Sequence, residues 1–331
     1  MRVVVLPQEV PDMGPAEFVE PVAASLRAYS EGKVRAVPMM LFDLVGGEVH
    51  VKAAVLDRAP YWSVKVSASV PGNAEQGLPA AHSTVTLFHV DSGRPEVLLV
   101  DSGGLLTGMR TAAAGAVAAR LLAPATDTLL VVGTGLQARL QAQAFWMERP
   151  FERLLVWGRD PGAAERVVAD LRSVLPEVRM QVAQDLRAAV EQAQSVVTAT
   201  ASDRPLLLGE WLRPGQHVTA VGADVAGKRE LDDDVLTRAG RLYVDSLEHN
   251  MQVGDLAGAI SGGRLSASDV TGELGALVSR PVARGEQEIT VAKLVGIGVQ
   301  DLAAALTVLD RIDRPHPRSS QVTAAGLEVR S

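Results

Sequence analysis

The sequence predicts an α/β protein in which a doubly wound parallel sheet follows a separate, strand-rich part. The first ~110 residues contain short β-prone runs broken by turn residues, whereas from residue 111 onward apolar strands alternate with helices. Strands that alternate with helices form a parallel sheet covered by helices on both faces. A glycine-rich turn, residues 133–138, lies between the first strand and the following helix of this second part.

The strand-rich part is predicted to hold one helix and five strands. Residues 14–31 carry apolar residues at helical spacing. The predicted strands are residues 35–40, 48–55, 62–70, 83–89 and 95–100. Turn signals separate them at Gly46-Gly47, Pro71-Gly72-Asn73 and Asp91-Ser92-Gly93.

The second part alternates in the way that a doubly wound sheet requires. Helices are predicted at residues 111–122, 136–148, 162–174 and 291–310. Strands are predicted at residues 128–132, 154–157, 178–182, 195–200, 217–221 and 242–245. The last ~20 residues are polar and are predicted to be loose.

Composition excludes several classes of function. The net charge of −7 argues against nucleic-acid and anionic-membrane binding, although a local basic pocket could still hold a small anion. The absence of cysteine excludes disulfides, a thiol nucleophile and cysteine-ligated zinc, and we predict no metal site. The sequence shows neither a signal-peptide pattern nor a run of about 20 apolar residues, so we expect a cytoplasmic protein.

The motif Gly133-x-Gly135-x-x-Ala138 lies between a predicted buried strand and a predicted helix, the context of a dinucleotide-binding Rossmann turn. The first glycine permits the tight turn, and the second lets the backbone approach a pyrophosphate. The helix amides then face the phosphates. The alternative is a tight strand–helix turn that binds nothing.

The end of the next strand bears on the choice of cofactor. An acid usually binds the adenosine ribose there, but this strand ends in Gly158, with Arg159 and Asp160 following. Arg159 could accommodate a 2′-phosphate, and Asp160 could approach a ribose hydroxyl. The sequence therefore predicts NAD or NADP without choosing between them.

Three basic residues, Arg35, Lys65 and Arg110, are candidates for binding a substrate anion. Strand alternation places Lys65 on the face opposite its flanking valines, and a solvated strand face is the alternative. Arg110 is predicted to precede a helix, where a cation is disfavoured by the helix dipole, so an anion-binding role is favoured.

Two further segments add candidates. Lys52 and His50 share one face of another predicted strand, and a lone histidine such as His50 is more often structural than catalytic. Asp224 follows a predicted parallel strand, where ligands bind in the crevice, so it is a candidate proton donor or acceptor. A helix N-cap is the alternative for Asp224.

Together these segments resemble the ornithine cyclodeaminase/mu-crystallin family. The resemblance covers roughly residues 35–305 and rests on five segments: Lys65 with Pro71-Gly72-Asn73, Met109-Arg110-Thr111-Ala112-Ala113, Gly133-Thr134-Gly135-Leu136-Gln137-Ala138, Gly222-Ala223-Asp224-x-x-Gly227-Lys228-x-Glu230-Leu231, and Gly298-Val299-Gln300-Asp301.

The resemblance implies an α+β substrate-binding and dimerisation domain, residues 1–112 plus 300–331, and a Rossmann domain, residues 113–299. It implies that Arg35, Lys65 and Arg110 hold the substrate α-carboxylate, with Lys65 and Asp224 catalytic. The implied cofactor contacts are Arg110, Thr111, Gly133, Thr134, Gly135, Leu136, Gln137, Arg159, Thr200, Val221 and Asp224. A homodimer is implied as well.

One departure from the family pattern bears on the substrate. Cyclodeaminases carry a carboxylate on a strand of the amino-terminal domain for the distal amine of ornithine, and Lys52 occupies that region here. A lysine repels a cationic side chain and attracts an anionic one. The chain also resembles a subgroup linked to ectoine utilisation and iminosuccinate reduction, whose members carry a similar lysine and a similar Gly-x-Gly-Val-Gln-Asp stretch late in the chain.

The expected activity is therefore that of an NAD(P)-dependent imino-acid reductase or amino-acid dehydrogenase. A dicarboxylic substrate, iminosuccinate reduced to aspartate with Lys52 on the second carboxylate, is the sharper hypothesis. A cyclodeaminase-type ammonia-lyase with catalytic NAD, a cyclic ketimine (pyrroline-carboxylate) reductase and a non-catalytic binding protein are the alternatives.

Overall fold

The computed structural model describes residues 1–10 and 12–314 of the 331-residue chain and contains two β-sheets. The predicted loose segment at the carboxyl end lies outside the described residues. The first sheet consists of seven strands: β1 (Arg2–Leu6), β2 (Val34–Ala36), β3 (Met40–Leu44), β4 (Gly47–Leu56), β5 (Tyr61–Ser69), β6 (Ala81–His89) and β7 (Pro95–Ser102).

The first sheet has the order β1-β7-β6-β5-β4-β2, with β3 also paired to β4. Only β1 and β7 run parallel in it, and the remaining pairs are antiparallel. An antiparallel sheet can bury one face and leave the other exposed. Here the helices at both ends of the described chain, residues 16–30 and 298–313, pack on the inner face.

The second sheet is parallel throughout and has eight strands in the order β10-β9-β8-β11-β12-β15-β13-β14. The strands are β8 (Thr128–Val132), β9 (Arg153–Trp157), β10 (Arg179–Val182), β11 (Ser195–Thr198), β12 (His217–Ala220), β13 (Arg241–Val244), β14 (Gly272–Glu273) and β15 (Thr290–Lys293). The strand order reverses between β8 and β11, and ligands bind at such a switch point.

Within the described residues, ten α-helices surround the sheets. They are α1 (Ala16–Ser30), α2 (Leu105–Leu122), α3 (Leu136–Glu148), α4 (Pro161–Arg172), α5 (Leu186–Gln192), α6 (Asp233–Thr237), α7 (Leu247–Asn250), α8 (Gly254–Ser261), α9 (Leu274–Ser279) and α10 (Gly298–Asp313). The fold is therefore the α/β class that the sequence predicted.

Helix α2 connects the two sheets. It is rich in alanine and almost wholly buried, and it packs against α1, α3 and α10. Its small side chains permit close approach, and a Cβ added at Gly108 would come within 2.8 Å of the Leu140 side chain in α3. This helix spans the predicted domain boundary at residues 112 and 113, so that boundary stays a prediction.

Two predicted helices differ from those observed. Helix α2 begins at Leu105 rather than at residue 111, because the Asp101 carboxylate accepts hydrogen bonds from the N–H groups of Leu105 and Leu106, at 2.8 and 3.1 Å. The predicted helix 291–310 is a strand up to Lys293 and a helix only from Gly298. A short, fully buried apolar strand cannot be told from a buried helical segment by periodicity.

The strand β1 was not predicted at all, because its pairing partner β7 is ~95 residues away. No helix among residues 1–10 and 12–314 combines the length and apolar character needed to cross a membrane.

Candidate functional site

A cleft with a volume of about 690 Å³ opens where the two sheets meet. It is lined on one side by residues of β4, β5 and β6, and on the other by the turns that follow β8, β9, β11 and β12. The carboxyl ends of the parallel strands therefore face the inner face of the first sheet. Most of the predicted cofactor and substrate residues meet in this one cleft.

The glycine turn has the geometry of a dinucleotide cradle. Gly133 has φ +137°, and a Cβ there would lie 2.4 Å from the Ala199 carbonyl oxygen, so no other residue fits without a shift. A Cβ on Gly135 would meet nothing within 4 Å, so the turn is open towards the cleft at that residue. Helix α3 begins there with no side-chain cap, leaving its amides available for an anion.

Most predicted cofactor residues line the cleft: Gly133, Thr134, Gly135, Leu136, Gln137, Arg159, Thr200, Val221 and Asp224, together with Arg110. Gln137 also donates to the Gly108 carbonyl at 3.1 Å, which ties α3 to α2. Thr111 does not line the cleft, and its carbonyl accepts a hydrogen bond from Gln141 at 3.2 Å. The residues present thus fit a dinucleotide without Thr111.

The buried carboxylate of Glu230 holds two of the cofactor-side turns together. It accepts hydrogen bonds from the N–H of Thr200 at 2.6 Å and of Gly222 at 2.7 Å, and from the hydroxyl of Thr198 at 2.9 Å. Burial and the nearby Asp255 raise the pKa of Glu230 to about 7. The motif around Asp224 therefore includes a residue whose role is structural.

On the opposite wall, two cations share one carboxylate. The Lys65 ammonium (β5) lies 3.0 Å from Oδ1 of Asp301 (α10), and Nε of Arg110 (α2) lies 2.9 Å from the same oxygen. All three side chains are at most 6% exposed. The other oxygen, Oδ2, is buried and has no hydrogen-bond partner among the described residues. Lys65 and Arg110 therefore lie together, as predicted, although Arg110 lies inside α2 rather than before it.

Burial and charge set the protonation states of this cluster. Burial lowers the pKa of Lys65 to about 8, against the opposing effect of Asp301. Burial alone would raise the pKa of Asp301, but Arg110 and Lys65 hold it well below its usual range. Asp301 is therefore a permanent anion, whereas Lys65 can change its charge near neutral pH.

Lys52 brings a third basic side chain to the cluster, with a pKa that burial and the neighbouring Arg110 lower. It lies directly opposite Lys65 in the antiparallel pairing of β4 with β5. Its ammonium donates to the carbonyls of Gly296 at 2.9 Å and Val295 at 3.4 Å, and no carboxylate of the described residues lies within ion-pair distance of it. Like charges directly opposite on adjacent strands are destabilising, so the pair favours an anion in the cleft.

Arg35 does not lie beside Lys65 and Arg110. It lies on the short strand β2, is exposed, and pairs in register with Val55 of β4. It does not line the cleft. The geometry gives no support to the predicted substrate role of Arg35, and Lys52 takes the third position beside Lys65 and Arg110.

Asp224 belongs to a second charged group in the cleft. Lys228 bridges Oδ1 of Asp224 at 3.2 Å and Oε1 of Glu48 (β4) at 3.1 Å. His50 lies 3.4 Å from the same Glu48 oxygen. Burial raises the pKa of Asp224, but Lys228, His50 and Lys52 outweigh it and lower the pKa below the usual value. Asp224 is thus ionised, and it caps no helix.

A row of polar side chains crosses the floor of the cleft beside the cations. His50, Ser67 and Ser83 are directly paired neighbours on β4, β5 and β6, and all three line the cleft. Burial lowers the pKa of His50, so its imidazole is neutral at pH 7. These side chains can form hydrogen bonds with the part of a ligand that extends from a group bound at Lys65.

Sequence reasoning gave no role to the charged residues Asp301, Glu48, Lys228 and Glu230, or to the polar residues Ser67 and Ser83. Asp301 and Lys228 stood inside segments that carried the family resemblance, and an acid in the first turn of an apolar helix was a usable signal. Glu48 lines the cleft from the same strand as Lys52, four residues before it. No group of three metal-ligating side chains occurs among the described residues.

A model of one protein family matches residues 11–315, nearly the whole chain. The chain belongs to the ornithine cyclodeaminase/mu-crystallin family. The predicted resemblance is thereby confirmed.

Known relatives in the family agree with the predicted enzyme class, an NAD(P)-dependent oxidoreductase. A Delta(1)-pyrroline-2-carboxylate reductase of Paracoccus denitrificans is 40% identical over 240 residues, 71% of this chain and 74% of the relative. The crystal structure of the iminosuccinate reductase of the same organism, in complex with NAD+, has a TM-score of 0.85 at 30% identity, covering 94% of this chain and 95% of that one. An archaeal alanine dehydrogenase dimer with bound NAD has a TM-score of 0.86 at 27% identity, with coverage of 94% and 95%.

We expect Asp301→Asn to destabilise the protein by about 3–5 kcal/mol, the usual cost of removing one partner of a buried ion pair. Asp310→Asn is the matched control, because Asp310 lies on the same helix but is 62% exposed and pairs only with Arg314. Urea unfolding of both variants at pH 7 measures the difference. Equal midpoints would show that the shared carboxylate does not stabilise the cation cluster.

Proposed function

We propose that the protein is an NAD(P)-dependent imino-acid reductase that also runs in reverse as an amino-acid dehydrogenase. The observation that carries this proposal is a buried basic group that faces a dinucleotide cradle across the cleft: Lys65 and Arg110 share a single carboxylate, and Lys52 lies directly opposite Lys65. Such a surplus of positive charge can bind a substrate carboxylate. The planar guanidinium of an arginine binds a carboxylate through two parallel hydrogen bonds.

The chain's own residues would position the substrate and control its charge. Lys65 and Arg110 hold the α-carboxylate, which orients the imine carbon towards the cofactor. A bound NADH or NADPH supplies the hydride to that carbon. The ionised Asp224 stabilises the positive charge of the protonated imine, directly or through a water. In the reverse direction it accepts the proton of the amine.

The polar surroundings favour a dicarboxylic substrate, with iminosuccinate reduced to aspartate. The charge of Lys52 has no carboxylate partner among the described residues, and a second substrate carboxylate would supply one. The side chain of a substrate held at Lys65 would run over His50, Ser67 and Ser83, which offer hydrogen bonds rather than apolar contact. An apolar substrate would leave those groups unpaired, which is unfavourable.

A cyclodeaminase-type ammonia-lyase remains the second candidate because of one observation. Glu48 and Asp224 are two carboxylates that face the same part of the cleft, and together they could hold a distal amine. Against it, Lys228 already bridges both carboxylates, and Lys52 would repel a cationic substrate. A cyclic ketimine reductase would need only Lys65 and Arg110 to bind the substrate α-carboxylate.

A substrate panel separates these candidates. We expect oxaloacetate plus ammonia to be turned over at least about tenfold faster, as kcat/KM, than pyruvate plus ammonia or a cyclic imine, because one satisfied charge pair contributes that much. Oxidation of NADH or NADPH at their absorbance band measures the rates. Faster turnover of pyruvate or the cyclic imine contradicts the dicarboxylate, and ammonia release from ornithine without net NADH change indicates the lyase.

The protonation of Lys65 predicts the pH dependence. Its lowered pKa of about 8 means that the cationic form prevails below pH 8 and is lost above it, so kcat/KM for imine reduction should fall about tenfold per pH unit above 8. Lys65→Met should lower kcat/KM at least about a hundredfold and leave NADH binding intact. Lys33→Met, at an exposed lysine, is the control. A pH-independent rate up to pH 10 would contradict this role of Lys65.

We also propose that the protein is a homodimer formed through the outer face of the first sheet. Opposite the cation-bearing face, that sheet exposes apolar side chains, among them Met40 at 61%, Phe42 at 50% and Val66 at 43%. Met40 and Val66 both pair in register with Val51 of β4, so they share this face. Contiguous exposed apolar surface marks an interaction site. The cytoplasmic location remains a prediction.

Val66→Asp should weaken the dimer at least about a hundredfold, because the interface would bury an unpaired charge. Val174→Asp is the control, since Val174 is similarly exposed, at 50%, but follows α4, which packs on β9 and β10 of the second sheet. Sedimentation velocity across a concentration series reports the change. A monomeric wild-type protein at micromolar concentration would rule out the proposed dimer.

A further inference from the structure

The adenosine end of the cleft is built differently from its nicotinamide end. The N–H of Gly133 donates a hydrogen bond to the carbonyl of Trp157, the last residue of β9, at 2.9 Å. The residues after β9 therefore lie beside the glycine turn. Those residues are Gly158 and Arg159, and both line the cleft. They occupy the place where a ribose-binding acid would stand in an NAD site.

A methyl group of Thr134 takes up the space that such an acid would need. A Cβ added at Gly158 would lie 2.4 Å from Cγ2 of Thr134, an overlap that only a movement of the threonine side chain relieves. The glycine turn and the end of β9 therefore pack together as observed only with glycine at residue 158.

The nearest acid in sequence is engaged elsewhere. Asp160 caps helix α4, accepting the N–H of Gly162 at 2.9 Å, and its other oxygen lies 3.5 Å from Arg166. It does not line the cleft. Within residues 1–10 and 12–314, the acidic residues that line the cleft are Glu48 and Asp224. Asp224 follows β12, three strand positions or about 14 Å from β9.

Arg159 is thus a cation without a counter-ion at this end of the cleft. It makes no hydrogen bond or ion pair to another described residue, whereas its neighbours Arg139 and Arg166 pair with Asp170 and Asp160. A phosphate monoester carries about −1.5 to −2 charges at pH 7, and a guanidinium binds phosphate oxygens in a bidentate fork. The 2′-hydroxyl of NADH offers no charge to Arg159, and no carboxylate of the described residues lines this end of the cleft to accept its hydrogen bond.

We propose that this end of the cleft is a 2′-phosphate subsite in which Arg159 selects NADP(H) over NAD(H). The proposal rests on the proposed use of a nicotinamide dinucleotide, and it is independent of which imine is reduced. The discrimination is electrostatic and lies at the adenosine, far from Lys65 and Asp224.

The test measures the binding of each cofactor without substrate. Isothermal titration calorimetry with NADPH and NADH should give the wild-type protein a Kd for NADPH that is at least about tenfold lower. In Arg159→Ala the ratio of the two Kd values should fall to within about threefold of one, mainly through weaker NADPH binding. Arg166→Ala, which removes a nearby cation that is outside the cleft, should keep the wild-type ratio. Raising the salt concentration should narrow the preference, because an exposed charge pair is screened.

Two results would overturn the proposal: wild-type protein that binds NADH as tightly as NADPH, or an Arg159→Ala variant that keeps the full preference. Because binding is measured without turnover, failure of the imine reductase assignment leaves this result interpretable. Absence of binding by either dinucleotide would instead contradict the proposed function itself.

Discussion

The site depends on one buried carboxylate, Asp301, which is shared by Lys65 and Arg110. Three cations from β4, β5 and α2 converge on this region, and two of them, Lys52 and Lys65, lie directly opposite each other. Without an anion between them, burial and mutual repulsion would drive these groups apart or neutralise them. Asp301 neutralises part of the positive charge. The positive charge that is left can attract a substrate carboxylate.

This constraint explains the path of the chain. Asp301 is in the first turn of α10, which follows the last central strand of the parallel sheet and returns to pack on the inner face of the first sheet. The carbonyls of Val295 and Gly296, in the connection before α10, hold Lys52 at the same time. The segment between β15 and α10 thus links the cofactor-binding sheet to the substrate cations, and the ion pair of Lys228 with Glu48 links the two halves again at the cleft.

Lys65 and Asp224, on opposite sides of the cleft, differ in how firmly their charge is fixed. Burial brings the pKa of Lys65 close to physiological pH, whereas Lys228 keeps Asp224 ionised. A carboxylate that stays charged suits the stabilisation of a positively charged imine, and a lysine that can lose its proton makes substrate binding depend on pH. Titratable groups whose surroundings keep their pKa values well apart within one cleft are typical of acid–base sites.

Local pattern determined much of this protein by itself: the alternation of strands and helices after residue 111, the glycine turn at Gly133, the placement of Lys65 opposite its valines, and the family. These features depend on residues close together in the chain. Only the tertiary structure decided that Asp301 joins Lys65 to Arg110 across more than 190 residues, that Glu48 meets Lys228, and that Arg35 lies outside the cleft. Pairing register and burial arise from contacts distant in sequence, and for the same reason periodicity mistook the buried strand β15 for part of a helix.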